Sequence, residues 1–119
     1  MGEGLPMAGN TSWTRAVLPL CLLGVLEADE RNYGYALLSR LSDAGLESVT
    51  PATLYPALTR LAEEGAVEVE WSAGDGGPGR KYYRITNEGR ARLRRDGVAW
   101  HDLNSTVTSL LNDHLRGNA

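Results

Sequence analysis

Residues 50–65, TPATLYPALTRLAEEG, constrain this chain most, because they predict a short helix with two dissimilar sides. Thr50 suits an N-cap, Pro51 suits the first helical position, and Gly65 suits a left-handed stop. The apolar side consists of three leucines at helical spacing, Leu54, Leu58 and Leu61. We expect these leucines to face the core and the opposite side to face solvent.

The outward side of this helix combines small, hydroxyl and cationic side chains. It consists of Ala52, Thr53, Tyr55, Pro56, Thr59 and Arg60, and two glutamates come only at the far end. Side chains of this kind contact the base edges and phosphates of DNA, so the segment predicts a recognition helix. Thr53 is expected at a base edge, with Thr50 in the same DNA-contacting set. Tyr55 and Arg60 are expected at phosphates.

Three residues in this region have a second interpretation. Tyr55 is expected to face outward, but packing against the following hairpin is the alternative. Pro56 lacks a backbone N–H, so it either removes one bond within the helix or marks a later helix start. Tyr35, further upstream, is equally consistent with contacting a phosphate and with closing the core.

A predicted hairpin follows the helix. Residues 66–71 alternate apolar and polar, residues 72–79 are rich in glycine, and residues 80–85 predict a returning strand that is basic. Upstream, residues 33–41 predict a compact amphipathic helix. The order helix, turn, helix and two-stranded wing is that of a winged helix-turn-helix, an α+β fold that is mostly helical.

The returning strand carries three cations. Arg80 and Lys81 are expected to contact phosphates or the minor groove of DNA. The alternative is that they are an ordinary pair of solvated charges on a hairpin. Arg84 is expected either to join them or to pair with Glu68 or Glu70 across the hairpin.

The net charge of −3 argues against DNA binding until the charges are located. Residues 12–86 hold seven Lys or Arg against ten acids, yet residues 50–62 and 76–84 together hold four cations and no acid. The predicted DNA side is polarised but thinly charged. We therefore expect weak non-specific binding, a modest salt dependence, and specificity that rests on two half-sites.

Residues 87–115 predict one long last helix, N-capped by Thr86 and about 43 Å long. Its apolar residues repeat at spacings of three and four, which is a heptad seam. We expect a second copy to cover the seam, with help from a first helix that Pro19 interrupts. The predicted dimer interface consists of Val17, Leu20, Leu93, Trp100, Leu103, Val107, Leu110 and His114.

Trp100 follows Gly97 in this seam, and the chain has no Phe to fill the space around its indole. These features favour a pocket at the dimer interface for a flat apolar or cationic effector. The predicted lining consists of Trp13, Trp100, Leu103 and Val107. Plain packing of the indole within the seam is the simpler alternative.

Several short motifs follow one another along nearly the whole chain. They are residues 22–26 (LLGVL), Tyr33-Gly34-Tyr35, residues 53–58 (TLYPAL) with Leu61 and Glu64-Gly65, residues 79–83 (GRKYY) with Ile85-Thr86, and Trp100. In this order they resemble the PadR-type transcriptional regulators of bacteria, although Asn32 stands near where many members have a histidine. The resemblance implies a homodimeric DNA-binding repressor, joined by its terminal helices and released in many members by a small phenolic or hydrophobic effector.

Length and composition set the remaining expectations. A chain of 119 residues allows one domain, and the single Cys21 favours a reducing compartment such as the bacterial cytoplasm. No membrane span and no signal peptide are predicted. We expect a flexible tail at residues 1–11, a winged helix-turn-helix at residues 12–86, and a dimerisation helix at residues 87–119.

These patterns predict a cytoplasmic homodimer that binds a pseudo-palindromic operator and associates with the nucleoid when bound to DNA. The resemblance implies that it acts as a repressor of transcription. No catalytic residue, metal site or cofactor is predicted, because the two histidines, His101 and His114, have no ligand set near them and no nucleophile motif occurs. The competing class is a winged-helix module that holds a protein partner through Arg60 and the wing. Affinity for duplex DNA distinguishes the two.

Overall fold

The computed structural model describes the backbone of residues 11–74 and 77–117 and the side chains of residues 12–73 and 79–113. The elements are, in order, α1 (Thr11–Asp29), β1 (Arg31–Tyr33), α2 (Gly34–Asp43), α3 (Pro51–Glu63), β2 (Val67–Gly74), β3 (Gly77–Ile85) and α4 (Asn87–Gly117). The strands form one antiparallel sheet in the order β1-β3-β2. The predicted fold class, a mostly helical winged helix-turn-helix with a long last helix, is confirmed. Residues 1–10 of the predicted tail lie outside the described residues.

The helix α3 begins at Pro51, after Thr50 at the N-cap position, so the later start considered for Pro56 is wrong. Thr50 caps the helix through its backbone only: its carbonyl accepts from the N–H groups of Thr53 and Leu54 at 3.0 and 2.8 Å. The Thr50 hydroxyl instead lies 3.3 Å from the Thr53 hydroxyl. At the other end, Gly65 has a φ of +81°, as a left-handed stop requires.

The core joins α1, α2, α3 and the base of the sheet. Its largest fully buried side chains are Leu18, Leu22, Leu23, Leu26, Leu37, Leu41, Leu54, Leu58, Leu61 and Ile85. The expected interruption at Pro19 is wrong, because α1 is one continuous helix of 19 residues that includes Pro19. Each buried leucine contributes about 1.5–3 kcal/mol, so the four leucines of α1 outweigh the roughly 3 kcal/mol that an interior proline costs.

One strand was not predicted. Residues 31–33 form the edge strand β1, with Arg31 opposite Arg84 and Tyr33 opposite Tyr82 on β3. The predicted helix at residues 33–41 therefore begins one residue later, at Gly34, and continues to Asp43. Three residues are too few to show an alternating pattern, and pairing with β3 is what makes them a strand.

The wing and the last helix are both slightly longer than predicted. The hairpin ladder continues into the glycine-rich segment, where Ser72 lies opposite Arg80 beside an irregularity in the register. The helix α4 has 31 residues, so it is about 46 Å long and runs without a break through Gly97. The predicted N-cap is confirmed, because the Thr86 hydroxyl accepts from the Gly89 N–H at 3.0 Å.

Candidate nucleic-acid interface

The outward side of α3 is open to solvent. Ala52, Tyr55, Pro56, Thr59 and Arg60 are exposed, and Thr53 is half-buried. No acid occurs on α3 before Glu63, its last residue. The helix therefore presents small, hydroxyl and cationic groups along most of its length, which fits the chemistry of a DNA groove.

The Tyr55 ring lies against the start of α2. A Cβ built at Gly34 would overlap the ring and the hydroxyl of Tyr55, so only glycine allows this contact. The ring nevertheless remains 43% exposed. Tyr55 thus packs on one side against α2, whereas the alternative named the hairpin, and it presents its other side to solvent.

A cleft of about 180 Å³ opens where α2, α3 and the wing meet. Its lining consists of Tyr33, Gly34, Tyr35, Tyr55, Arg80, Lys81 and Tyr83. Four of the predicted DNA-contacting residues, those at 35, 55, 80 and 81, therefore share one cleft although they come from three elements. Tyr35 is 71% exposed, so its ring does not close the core. Tyrosine hydroxyls and cations are both suitable donors to a phosphate.

Arg80 and Lys81, two of the three wing cations, lie over tyrosine rings. The guanidinium carbon of Arg80 is 4.4 Å from the ring centroid of Tyr33, and the Lys81 ammonium is 5.6 Å from that of Tyr83. Tyr33 in turn meets Tyr82 edge to face, with ring centroids 5.6 Å apart. Stacking of this kind restricts a long side chain without neutralising it, so both charges remain available to a phosphate.

The third wing cation is engaged elsewhere. Arg84 binds Glu70 at 3.1 Å, and Arg31 of β1 binds the same carboxylate at 2.8 Å. Arg84 lies directly opposite Glu68 in the ladder, so its partner is the diagonal neighbour. Hydrogen bonds from Arg31 and then from Arg84 lower the pKa of Glu70 below its usual range. Arg84 is therefore the least available cation of the predicted DNA side.

A polar cluster fixes α2 to the end of α1. Arg40 donates to both carboxylate oxygens of Asp29, at 3.0 and 3.2 Å, and Asn32 donates to Asp29 at 3.0 Å. The hydrogen bond from Arg40 is the main reason why the pKa of Asp29 is lowered. The cluster holds the segment that leads into Tyr33 and Gly34, two of the residues that line the cleft.

Several apolar side chains of α1 and α4 remain substantially exposed among the residues that the structure describes. They are Trp13, Val98, Trp100, Leu103, Val107, Leu110 and Leu111. Leu93 differs from the rest of the predicted seam because it packs partly against the protomer's own core. Val17 and Leu20 are half-buried, and the side chain of His114 lies outside the described residues.

The part of the chain that the structure describes gives little support for a metal site, a reactive thiol or a membrane span. No group of three or more His, Cys, Asp or Glu there is placed to hold a metal ion. Burial raises the pKa of the Cys21 thiol, which makes it a poor nucleophile. No helix within residues 11–74 and 77–117 has the length and apolarity that a bilayer span requires.

Sequence reasoning missed some residues of this interface. Tyr33 and Tyr83 support the two wing cations, and Gly34 makes room for Tyr55. The Tyr33-Gly34-Tyr35 motif carries part of the family resemblance, but no local pattern indicates that Tyr33 reaches Arg80. That contact depends on β1, which was not predicted.

Comparison with known proteins agrees with this architecture. Residues 22–95 match the model of the "Transcriptional regulator PadR-like family". The transcriptional regulator Rv3488 of Mycobacterium tuberculosis is 41% identical over 76 residues, which are 64% of this chain and 69% of that protein.

Solved structures give the same assignment. A PadR family transcriptional regulator from Eggerthella lenta superposes with a TM-score of 0.78 at 37% identity, covering 88% of this chain and 90% of that one. A PadR-like transcriptional regulator from Bacillus cereus gives 0.75 at 34% identity, covering 84% and 96%. The chain belongs to the PadR-like family of DNA-binding transcriptional regulators.

Proposed function

We propose that this regulator is a homodimeric repressor that binds a pseudo-palindromic operator. The observation that carries the proposal is the cleft beside α3, where Tyr35, Tyr55, Arg80 and Lys81 converge. Two of these side chains are cations without a carboxylate partner among the described residues, and two offer hydroxyl groups. A cluster of this composition next to an acid-free helix is suited to a phosphate backbone.

The remaining DNA contacts come from the rest of α3. Thr53 is proposed to touch a base edge, because its hydroxyl lies at the N-terminal end of the helix next to that of Thr50. Arg60 is proposed to hold a phosphate, since it is exposed and has no ion pair with any residue that the structure describes. Phosphate contacts fix the orientation of the helix, and base contacts supply its specificity.

The dimer is proposed to form through the uncovered apolar side of α4. A helix about 46 Å long extends well beyond what a small winged domain covers, and Trp100, Leu103 and Val107 remain exposed along it. A twofold dimer presents two copies of α3, and one face of DNA offers two half-sites about 34 Å apart. Repression then follows if the operator overlaps a promoter.

An effector is proposed to bind at the same interface, against Trp13 and Trp100 with Leu103 and Val107. Both indoles are substantially exposed in the single chain, so a flat aromatic ligand has a surface on which to stack. Such a ligand releases the operator only by favouring one spacing of the two recognition helices over another. A DNA-bound regulator of this kind acts in the cytoplasm, at the nucleoid.

A mobility-shift assay tests the proposed function, using the duplex upstream of the protein's own gene and a scrambled duplex of equal length. We expect the upstream duplex to bind more tightly by a factor of about 10³ or more at physiological salt. Equal, weak affinity for both duplexes would remove the operator from the account. No affinity for either would favour a module that holds a protein partner.

A further inference from the structure

A second set of cations borders α3, on the side away from the wing. An open groove of about 340 Å³ separates α1 from α3. Arg15 and Pro19 line it from α1, and Thr53, Pro56 and Arg60 line it from α3. The groove therefore brings Arg15 of α1 next to Thr53, the candidate for a base contact, and Arg60, a candidate for a phosphate contact.

The two flanks of α3 can be assigned from helical geometry. At about 100° per residue, Tyr55 lies roughly 90° from the middle of the buried leucine stripe in one direction. Thr53 and Arg60 lie at a comparable or somewhat larger angle in the other direction. The contacts agree with this assignment. Tyr55 packs against Gly34 and lines the wing cleft, whereas Thr53 and Arg60 line the groove beside α1.

The distribution of free charge follows these flanks. Among the described residues, six arginines have a carboxylate partner: Arg31, Arg40, Arg84, Arg90, Arg92 and Arg95. The cations without such a partner in the same part of the chain are Arg15, Arg60, Arg80, Lys81 and Arg94. Four of these five line the two openings beside α3, and only Arg94 lies on α4.

The surroundings of Arg15 suit an anion. Residues 11–26 of α1 and 51–62 of α3 contain no acid, so nothing on either wall of the groove competes for the two arginines. Arg15 and Arg60 are both exposed and need no rearrangement of the core to reach a ligand. Charge complementarity therefore favours a negatively charged partner over an apolar one.

DNA supplies such a partner on both flanks of a recognition helix. The major groove is about 12 Å wide and an α-helix with its side chains is about 10–12 Å across, so one phosphate backbone runs along each side. The wing cleft is placed for one backbone. On a duplex bound in this way, the other backbone would pass the flank that carries Thr53 and Arg60, where α1 is the adjacent element.

We propose that the DNA-binding surface extends onto α1, where Arg15 and Arg60 together bind the phosphate backbone opposite the wing. The inference rests on the proposed function, and it assigns Arg15 a role that the sequence pattern did not suggest. With Arg15 included, the DNA side has four described cations without a carboxylate partner in each protomer, instead of the three at residues 60, 80 and 81. The fourth cation partly offsets the acidic net charge of the chain.

The test is the salt dependence of affinity for the upstream and scrambled duplexes, measured by fluorescence anisotropy. Arg15→Gln is expected to weaken binding to both duplexes by the same factor. It is also expected to reduce the slope of log K against log salt by about 0.9 for each protomer on the duplex. Arg94→Gln is the matched control, since it removes an equally unpaired arginine from α4 and should change neither quantity.

The outcomes separate this inference from the function on which it rests. If the wild-type protein binds no duplex, the proposed function fails. If the wild type binds and removal of Arg80 and Lys81 lowers the slope, but Arg15→Gln behaves like Arg94→Gln, the function stands and the role of Arg15 is wrong. Weaker binding by Arg15→Gln with an unchanged slope would also overturn it, and an unchanged melting temperature verifies that the variant is folded.

Discussion

The Tyr55 ring occupies the space that a side chain at residue 34 would need. Gly34 begins α2 and Tyr55 lies on α3, so the absence of one Cβ lets the two helices of the helix-turn-helix approach each other. Tyr55 also lines the wing cleft, so the same contact fixes one side of that cleft. Helix packing and the proposed phosphate contact therefore depend on one glycine.

Gly34→Ala is expected to displace the Tyr55 ring and to weaken operator binding. The added methyl group would overlap the hydroxyl oxygen and two ring carbons of Tyr55, and overpacking of this kind costs about 1–3 kcal/mol of stability. Urea unfolding measures the stability, and anisotropy measures the affinity.

Gly24→Ala is the control for that substitution. Gly24 also lies within a helix, but a Cβ there would meet nothing within 4 Å. We expect this variant to be stabilised by up to about 1 kcal/mol, with unchanged affinity. If the two alanine variants bind the operator equally well, the Gly34–Tyr55 contact does not position the DNA surface.

The wing prediction concerns Arg80 and Lys81. Replacing both with alanine is expected to weaken binding to every sequence and to lower the salt slope by about one unit for each phosphate that is no longer neutralised. Thr53→Val, in contrast, is expected to relax preference at one base pair with little change in slope. An Arg80→Ala, Lys81→Ala double variant with wild-type affinity and slope would remove the wing from the DNA surface.

The dimer prediction concerns the uncovered side of α4. Replacing both Leu103 and Val107 with glutamate would place two like charges on each side of the proposed seam, so we expect a monomer at micromolar concentration. Light scattering measures the molecular mass of the variant in solution. Operator affinity should fall as the dimer dissociates. Ser105→Glu with Ser109→Glu is the control, since these positions lie on the opposite side of the helix. A Leu103, Val107 variant that remains dimeric would place the interface elsewhere.

The pH prediction concerns Asp29. Its pKa is lowered chiefly by the hydrogen bond from Arg40, so the pair stabilises the fold above the ordinary aspartate pKa of about 3.9. That stability is lost as the pH falls through the lower pKa of the folded state. Asp29→Asn should therefore lower the urea midpoint at pH 7 and lower it less at pH 3. A deficit of the same size at both pH values would exclude this ion pair as its cause.

The effector prediction concerns Trp100. Titration with flat aromatic compounds is expected to quench tryptophan fluorescence in the wild type and to shift its operator affinity. The Trp100→Ala variant should lose the part of the quenching that belongs to this site. Quenching that persists unchanged in that variant would place the ligand elsewhere. No quenching by any such compound would leave Trp100 as a packing residue of the dimer.

The elements that are specified by local signals were predictable from the sequence. The stripe formed by Leu54, Leu58 and Leu61 specified α3, and Thr86 marked the start of α4 correctly. Both signals are local, because helical spacing and capping act within a few residues. The order of these elements was then enough to predict a winged helix-turn-helix.

The contacts that assemble the site depend on tertiary structure. Tyr33 reaches Arg80 only because β1 joins the sheet, and Arg31 of that same strand converges with Arg84 on the Glu70 carboxylate. Arg15 became a candidate only when α1 was found beside α3. The pairing of Arg84 with Glu70 was one of the alternatives that the hairpin pattern predicted. The contacts of Arg15, Arg31 and Tyr33 are not fixed by spacing along the chain, so no local pattern predicts them.

Hydroxyl-radical footprinting of the upstream duplex tests the account most directly, because it reports both the DNA contact and the dimer. We expect two protected patches on one face of the duplex, with centres about one helical turn, roughly 10 base pairs, apart. Both patches should disappear together in the Leu103→Glu, Val107→Glu variant. A single protected patch, or protection of the whole duplex without a pattern, would contradict a homodimer that reads two half-sites.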